Sequence, residues 1–159
     1  MLGGCLCGAI RYEVVRPFSS VSVCHCRSCR LASGAPTVSW FVLPRTGFRW
    51  LRGSPKLFAS SKPVKRGFCG ECGTQLTYEH TDAPGEIEVT TISLDEPTQV
   101  PPTKEIWLSE RVPWVQPWRV SRTLRKTVLA LGPMSPNPSI ERTSSGRVRL
   151  PPAAAHAER

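Results

Sequence analysis

No apolar run in this 159-residue sequence approaches the roughly 20 residues that a membrane helix needs. Nor does a charged-then-apolar leader precede the first cysteine pair, because Met1-Leu2-Gly3-Gly4 runs straight into Cys5. These two absences lead us to expect a soluble, cytoplasmic protein without a membrane partner. No internal repeat is visible beyond three cysteine clusters, which sets aside a repeat architecture. An even cysteine count is lacking too: there are seven, so a disulfide framework would leave one thiol over. Without a secretion signal, a reducing compartment disfavours such bonds. The length suits one domain with a real core and is short for two.

What is present is thiol at metal-binding spacing. Cys24, Cys26 and Cys29 lie within six residues, while Cys5-x-Cys7 and Cys69-x-x-Cys72 make two pairs some sixty residues apart. Seven divides into four plus three. Four sulfurs complete the tetrahedral shell of a structural zinc, whereas a catalytic zinc keeps three protein ligands and one open position. We therefore expect two zinc ions per chain. Cys5, Cys7, Cys69 and Cys72 would hold one as a staple, and Cys24, Cys26 and Cys29 the other. A fourth ligand for the trio could come from His25 or His80. In an extended segment residues 24 and 26 point to one face and residue 25 to the other, which favours an open position.

The formal charge of +9 invites a nucleic-acid reading, but its location argues otherwise. Residues 119–159 hold eight Lys or Arg against two Glu, a net +6, leaving thirteen against ten, +3, for residues 1–118. Four thiolates around one Zn²⁺ contribute −2 and three around another −1, which brings the body to zero. The basicity belongs to the tail, and nucleic acid is not an expected partner of the folded body.

Along the chain, Gly8–Val15, Phe18–Val23, Thr37–Leu43, Phe48–Leu51, Lys56–Ala59, Val64–Phe68, Thr74–Glu79 and Glu86–Ile92 read as strands punctuated by Gly and Pro. Cys26–Ser33 suits a short helical turn stopped by Gly34. The glycines after Cys69 and Cys72 would supply positive φ to a knuckle. Trp107, Trp114 and Trp118 call for burial, so the irregular stretch after Pro97 counts as folded. Arg27, Arg30, Lys65 and Arg66 flank the clusters and read singly as solvated charge. The fold class is thus mainly β, with small antiparallel sheets organised around zinc knuckles. We expect a zinc-binding domain over 1–118, a short helix or linker over 119–132, and a disordered basic tail rich in Pro, Ser and Ala over 133–159.

An open Cys₃ zinc can accept an incoming thiol, lower its pKa and hold it as a nucleophile for a carbonyl. A peptide-like thiol such as glutathione would fit that chemistry. The clusters also carry a resemblance. The order Gly4-Cys5-Leu6-Cys7-Gly8-Ala9-Ile10-Arg11-Tyr12, Cys24-His25-Cys26-Arg27-Ser28-Cys29-Arg30, then Arg66-Gly67-Phe68-Cys69-Gly70-Glu71-Cys72-Gly73-Thr74-Gln75-Leu76 is similar to the glutathione-dependent formaldehyde-activating enzyme family, which includes centromere protein V. Ser93-Leu94-Asp95-Glu96-Pro97 and Ile106-Trp107 extend the likeness to about residue 118, with Glu105 where many members have histidine. The resemblance implies a β-tent fold, a structural zinc on the four cysteines and a catalytic zinc on the three. It also implies a carbon–sulfur lyase that joins glutathione to formaldehyde. The competing class is a zinc-stabilised binding module without turnover, associated with chromatin or nucleic acid through the basic tail.

Overall fold

Short β-prone runs broken by Gly and Pro fold into two sheets in the computed structural model, which describes residues 1–116. The smaller sheet has the order β1-β2-β5, from Leu2–Gly4, Arg11–Val14 and Phe48–Arg52, all antiparallel. The larger has seven strands in the order β10-β3-β4-β9-β8-β7-β6. Its members are β3 (Ser20–Cys24), β4 (Val38–Pro44), β6 (Lys56–Ser61), β7 (Val64–Phe68), β8 (Gln75–His80), β9 (Glu86–Thr90) and β10 (Lys104–Ile106). Among the described residues one α-helix, α1, spans Arg27–Ser33. No helix among the described residues is long and apolar enough to cross a membrane. The expected helix within 119–132 and the expected disorder of 133–159 lie outside the described residues.

The fold class is mainly β as expected, with one correction. The larger sheet is mixed, because β10 pairs parallel to β3 through Glu105↔Val23 and Ile106↔Cys24. No alternating pattern marked Lys104–Ile106 as a strand. Three residues between Pro102 and the left-handed Trp107 are too short to show a period, so only the neighbouring strand selects them.

Period-two alternation decides which residues reach which core. In β4, Phe41 and Leu43 join Tyr12, Val14, Phe48, Leu76, Ile87 and Val89 in the main core shared by both sheets. Val38 and Trp40, from the alternate positions, pack with Cys24, Cys29, Tyr78 and Ile106 in a second cluster. Cys5 and Cys69 border the first core and the Cys24 trio borders the second. Burial of Trp40, only 2% exposed and edge-on to Tyr78 at 6.1 Å, gives that second cluster its apolar floor.

The late tryptophans correct a second expectation. Trp107 and Trp114 are 59% and 71% exposed, and Trp118 lies outside the described residues. The segment after Pro97 is instead held by backbone: Thr103 N–H donates to Val21 O and His25 N–H to Ile106 O, both at 3.1 Å.

Candidate metal centres and the cavity beside them

The four distant cysteines meet through two turns. Cys5 N–H donates to Ile10 O (3.1 Å) and Gly8 N–H to Cys5 O (3.0 Å), which folds the first pair into a loop. Cys69 N–H donates to Thr74 O (2.9 Å) and Gly73 N–H to Cys69 O (3.0 Å), which folds the second. Positive φ falls at Gly8 and Gly73, each following the second cysteine of its pair; Gly70 does not adopt it, contrary to expectation. The physical reason is that the chain must reverse after both sulfurs have been presented, not between them. Thr74 ties the turns together, its Oγ1 accepting from Leu6 N–H at 3.1 Å and lying 3.2 Å from Cys72 Sγ.

These sulfurs fit a tetrahedral ion. A Zn–S distance of about 2.3 Å places tetrahedral sulfurs about 3.8 Å apart. Cys5 Sγ lies 3.5 Å from Cys7 Sγ, and Cys7 Sγ lies 3.8 Å from Cys69 Sγ. All four ligand atoms fall within 4.8 Å of one another.

Cys24, Cys26 and Cys29 also gather within 4.8 Å. Cys24 ends β3, and Cys26 is the N-cap of α1, its sulfur accepting from Cys29 N–H at 3.3 Å. Gly34, at φ 64°, closes the helix as expected. The trio cannot comfortably ionise without a cation. The Cys24–Cys29 contact pushes the Cys24 thiol well up, with burial adding to it. The same contact holds Cys29 down to about 5 against burial, helped by Cys26 and Arg66. Such crowding of sulfur is relieved by a soft dication, and the donor set is that of zinc.

Neither histidine weighed as a fourth ligand joins the trio. His25 is fully buried, and its Nε2 lies 2.9 Å from Glu105 Oε1, so the departure at residue 105 gives this histidine its partner. His80, at the end of β8, accepts from Asp82 N–H through Nδ1.

The trio opens onto a cavity of about 300 Å³ whose lining includes Trp40, Arg66, Tyr78, Glu88 and Trp107. Three of these, Trp40, Tyr78 and Glu88, went unread as site residues, and Arg66 was misread. Arg66 is 5% exposed rather than solvated; its Nη1 reaches Cys29 Sγ at 3.7 Å, and its Nε donates to Ser60 Oγ at 3.0 Å. Its guanidinium lies over the Tyr78 ring at 5.0 Å. Register explains the grouping: Arg66 stands opposite Tyr78, and Tyr78 opposite Glu88, in one row across β7, β8 and β9. Arg27, beside the trio, is exposed, as read.

A family model described as "Glutathione-dependent formaldehyde-activating enzyme" matches residues 1–110, two thirds of the chain and all three cysteine clusters. The chain belongs to this family. An uncharacterized lyase of Schizosaccharomyces pombe is 31% identical over 80 residues, covering 50% of this chain and 58% of that protein. The chain thus spans little more than half the length of this curated relative. A crystal structure of a Rhodobacter sphaeroides protein superposes with a TM-score of 0.54 at 25% identity, covering 66% of this chain and 99% of the other.

Proposed function

We propose that this member of the family is a zinc-dependent carbon–sulfur lyase that adds a glutathione-like thiol to a small aldehyde such as formaldehyde, giving S-hydroxymethylglutathione in the latter case. In this reading Cys5, Cys7, Cys69 and Cys72 hold a structural zinc, Cys24, Cys26 and Cys29 hold a second, catalytic one, and the enzyme works in the cytoplasm. The observation that carries it is that Cys24, Cys26 and Cys29 group without a fourth Cys, His, Asp or Glu among the described residues, beside a cavity. A zinc ion there would supply an open Lewis-acid position that lowers the pKa of an incoming thiol.

The protein's own part is positioning and charge. Cys26, as helix cap, and Cys29, one turn on, keep two sulfurs on one side of α1. Arg66 places a fixed positive charge against Cys29, where negative charge accumulates as a thiolate arrives. Trp40 and Tyr78 supply apolar wall, which limits water around a reacting carbonyl.

Metal content and cobalt substitution test the reading. Two ions per chain, with cobalt absorption bands that shift when glutathione is added, are expected. Bands that ignore glutathione, together with salt-sensitive DNA binding that disappears on removing residues 119–159, would make the chain a binding module instead.

A further inference from the structure

Glu88 sits where a carboxylate has no structural reason to be. It lies on β9 between Ile87 and Val89, whose side chains are 1% and 0% exposed in the main core. Those two anchors fix the strand, so alternation turns Glu88 to the other face, among Cys24, Cys26, Cys29, Arg66 and Tyr78 around the cavity. Glu88 is partly buried, and a carboxylate drawn out of water to serve structure is normally paired or hydrogen-bonded. The other acidic groups near this site are: Glu105 meets His25 Nε2, and Glu110 accepts the Arg27 N–H at 2.6 Å. Glu88 makes no ion pair and no side-chain hydrogen bond among the described residues. Arg66, the cation in its cross-strand row, is directed to Ser60 and Cys29.

We propose that Glu88 is the proton carrier of this site, taking the S–H proton of the incoming thiol and returning it to the carbonyl oxygen of the aldehyde. The inference rests on the thiol-addition reading of the Cys24, Cys26 and Cys29 site. The transfer balances without any further reactant. The S–H bond breaks and its proton passes to the Glu88 carboxylate. The sulfur electron pair forms the C–S bond, and the carbonyl π pair moves onto oxygen. That oxygen then takes the proton from Glu88, which regenerates the carboxylate.

The surroundings suit the role. Burial holds Glu88 above the ordinary carboxylate range, Glu86 on its own strand adds to this, and Arg66 on β7 opposes it. A carrier near the working pH both accepts and releases a proton readily. Tyr78 on β8 is pushed up by burial and by Glu88, so it stays a neutral phenol and does not compete for the proton. Cys24 from β3 and Cys26 from the helix cap complete the groups on the trio's side, and Glu110 stands among the lining residues, already engaged with Arg27.

Proton counting tests this apart from turnover. Glutathione is titrated calorimetrically into the metal-loaded full chain at pH 7, in two buffers of different ionisation enthalpy, to give protons released per thiol bound. A carboxylate that takes the thiol proton keeps it out of the buffer. Wild type is therefore expected to release measurably less than one proton per thiol bound, and Glu88→Gln close to one. Glu88→Asp, which keeps a carboxylate, should release less than one. Turnover of Glu88→Gln should fall on the order of 100-fold, with KM little changed. Equal release from wild type and Glu88→Gln would overturn the assignment. So would a full proton from wild type, a result that needs no variant to fold. Cobalt bands that glutathione does not move would instead overturn the thiol-addition reading, and this inference with it, before any proton is counted.

Discussion

Cys69→Ser and Cys26→Ser remove the same atom from two sites that differ in how much chain they tie down, and their stabilities should separate. Cys7 and Cys69 stand 62 positions apart, whereas the whole trio spans Cys24 to Cys29, five positions. Loop closure scales as (3/2)RT ln n, so the larger loop constrains the unfolded chain by about 2 kcal/mol more. Local structure pushes the same way. Cys69 is 1% exposed beside the main core, and its loss disturbs the turn that Thr74 links to Leu6. Cys26 is half-buried and caps α1, a position at which serine is itself a preferred residue. Against a typical domain stability of about 5–15 kcal/mol, the difference is large. Melted by circular dichroism in matched zinc, Cys69→Ser should unfold on the order of 10 °C below Cys26→Ser. Cys26→Ser should fold near the wild-type temperature while failing to respond to glutathione. Equal losses of melting temperature in the two variants would refute the division of labour between the sites.

Chelation should follow the same logic, lowering the melting temperature by removing the ion of the four-cysteine site; a melting curve unchanged by a strong chelator would argue against a structural metal. Trp40→Ala should cost about 3–5 kcal/mol in denaturant unfolding, because it empties the floor of the second cluster. Tyr12→Phe should cost about 0.5–1.5 kcal/mol, since it removes the 2.6 Å hydrogen bond between the buried Tyr12 hydroxyl and Ser93 Oγ, which keeps its contacts with Thr90. Glu88 gives a pH signature of fixed sign. Burial raises its folded value to about 7 from 4.5, so between those values the folded state binds more protons than the unfolded one, and stability falls as pH rises through that window. Glu88→Gln should remove that fall and be more stable than wild type at pH 8, by up to about 3 kcal/mol; a variant no more stable there would contradict the burial seen for this carboxylate.

The unread parts of the site share a cause. Glu86-Ile87-Glu88-Val89 alternates cleanly, and alternation alone reads its polar positions as solvent-facing. The larger sheet carries apolar clusters on both faces, so the polar side of β9 looks into a cavity instead. Arg66 suffered the same misreading, although its neighbour Lys65 is indeed exposed. The exposed Trp107 and Trp114 show the converse: an aromatic residue signals burial only where the fold supplies a partner surface.

Sequence alone was sufficient for everything that depends on short separations. Two cysteines one or two residues apart must present sulfur together whatever the rest of the chain does, and Cys26 to Gly34 carries its own start and stop. The β-rich class followed from alternation within single strands. Tertiary structure alone decided what depends on register and on which strands become neighbours. It placed Arg66, Tyr78 and Glu88 in one row, drew β10 alongside β3, and gave His25 to Glu105. A shift of one residue in any of those pairings would turn the row to the opposite face, and that choice is settled by the summed burial of both cores, which no local stretch of sequence encodes.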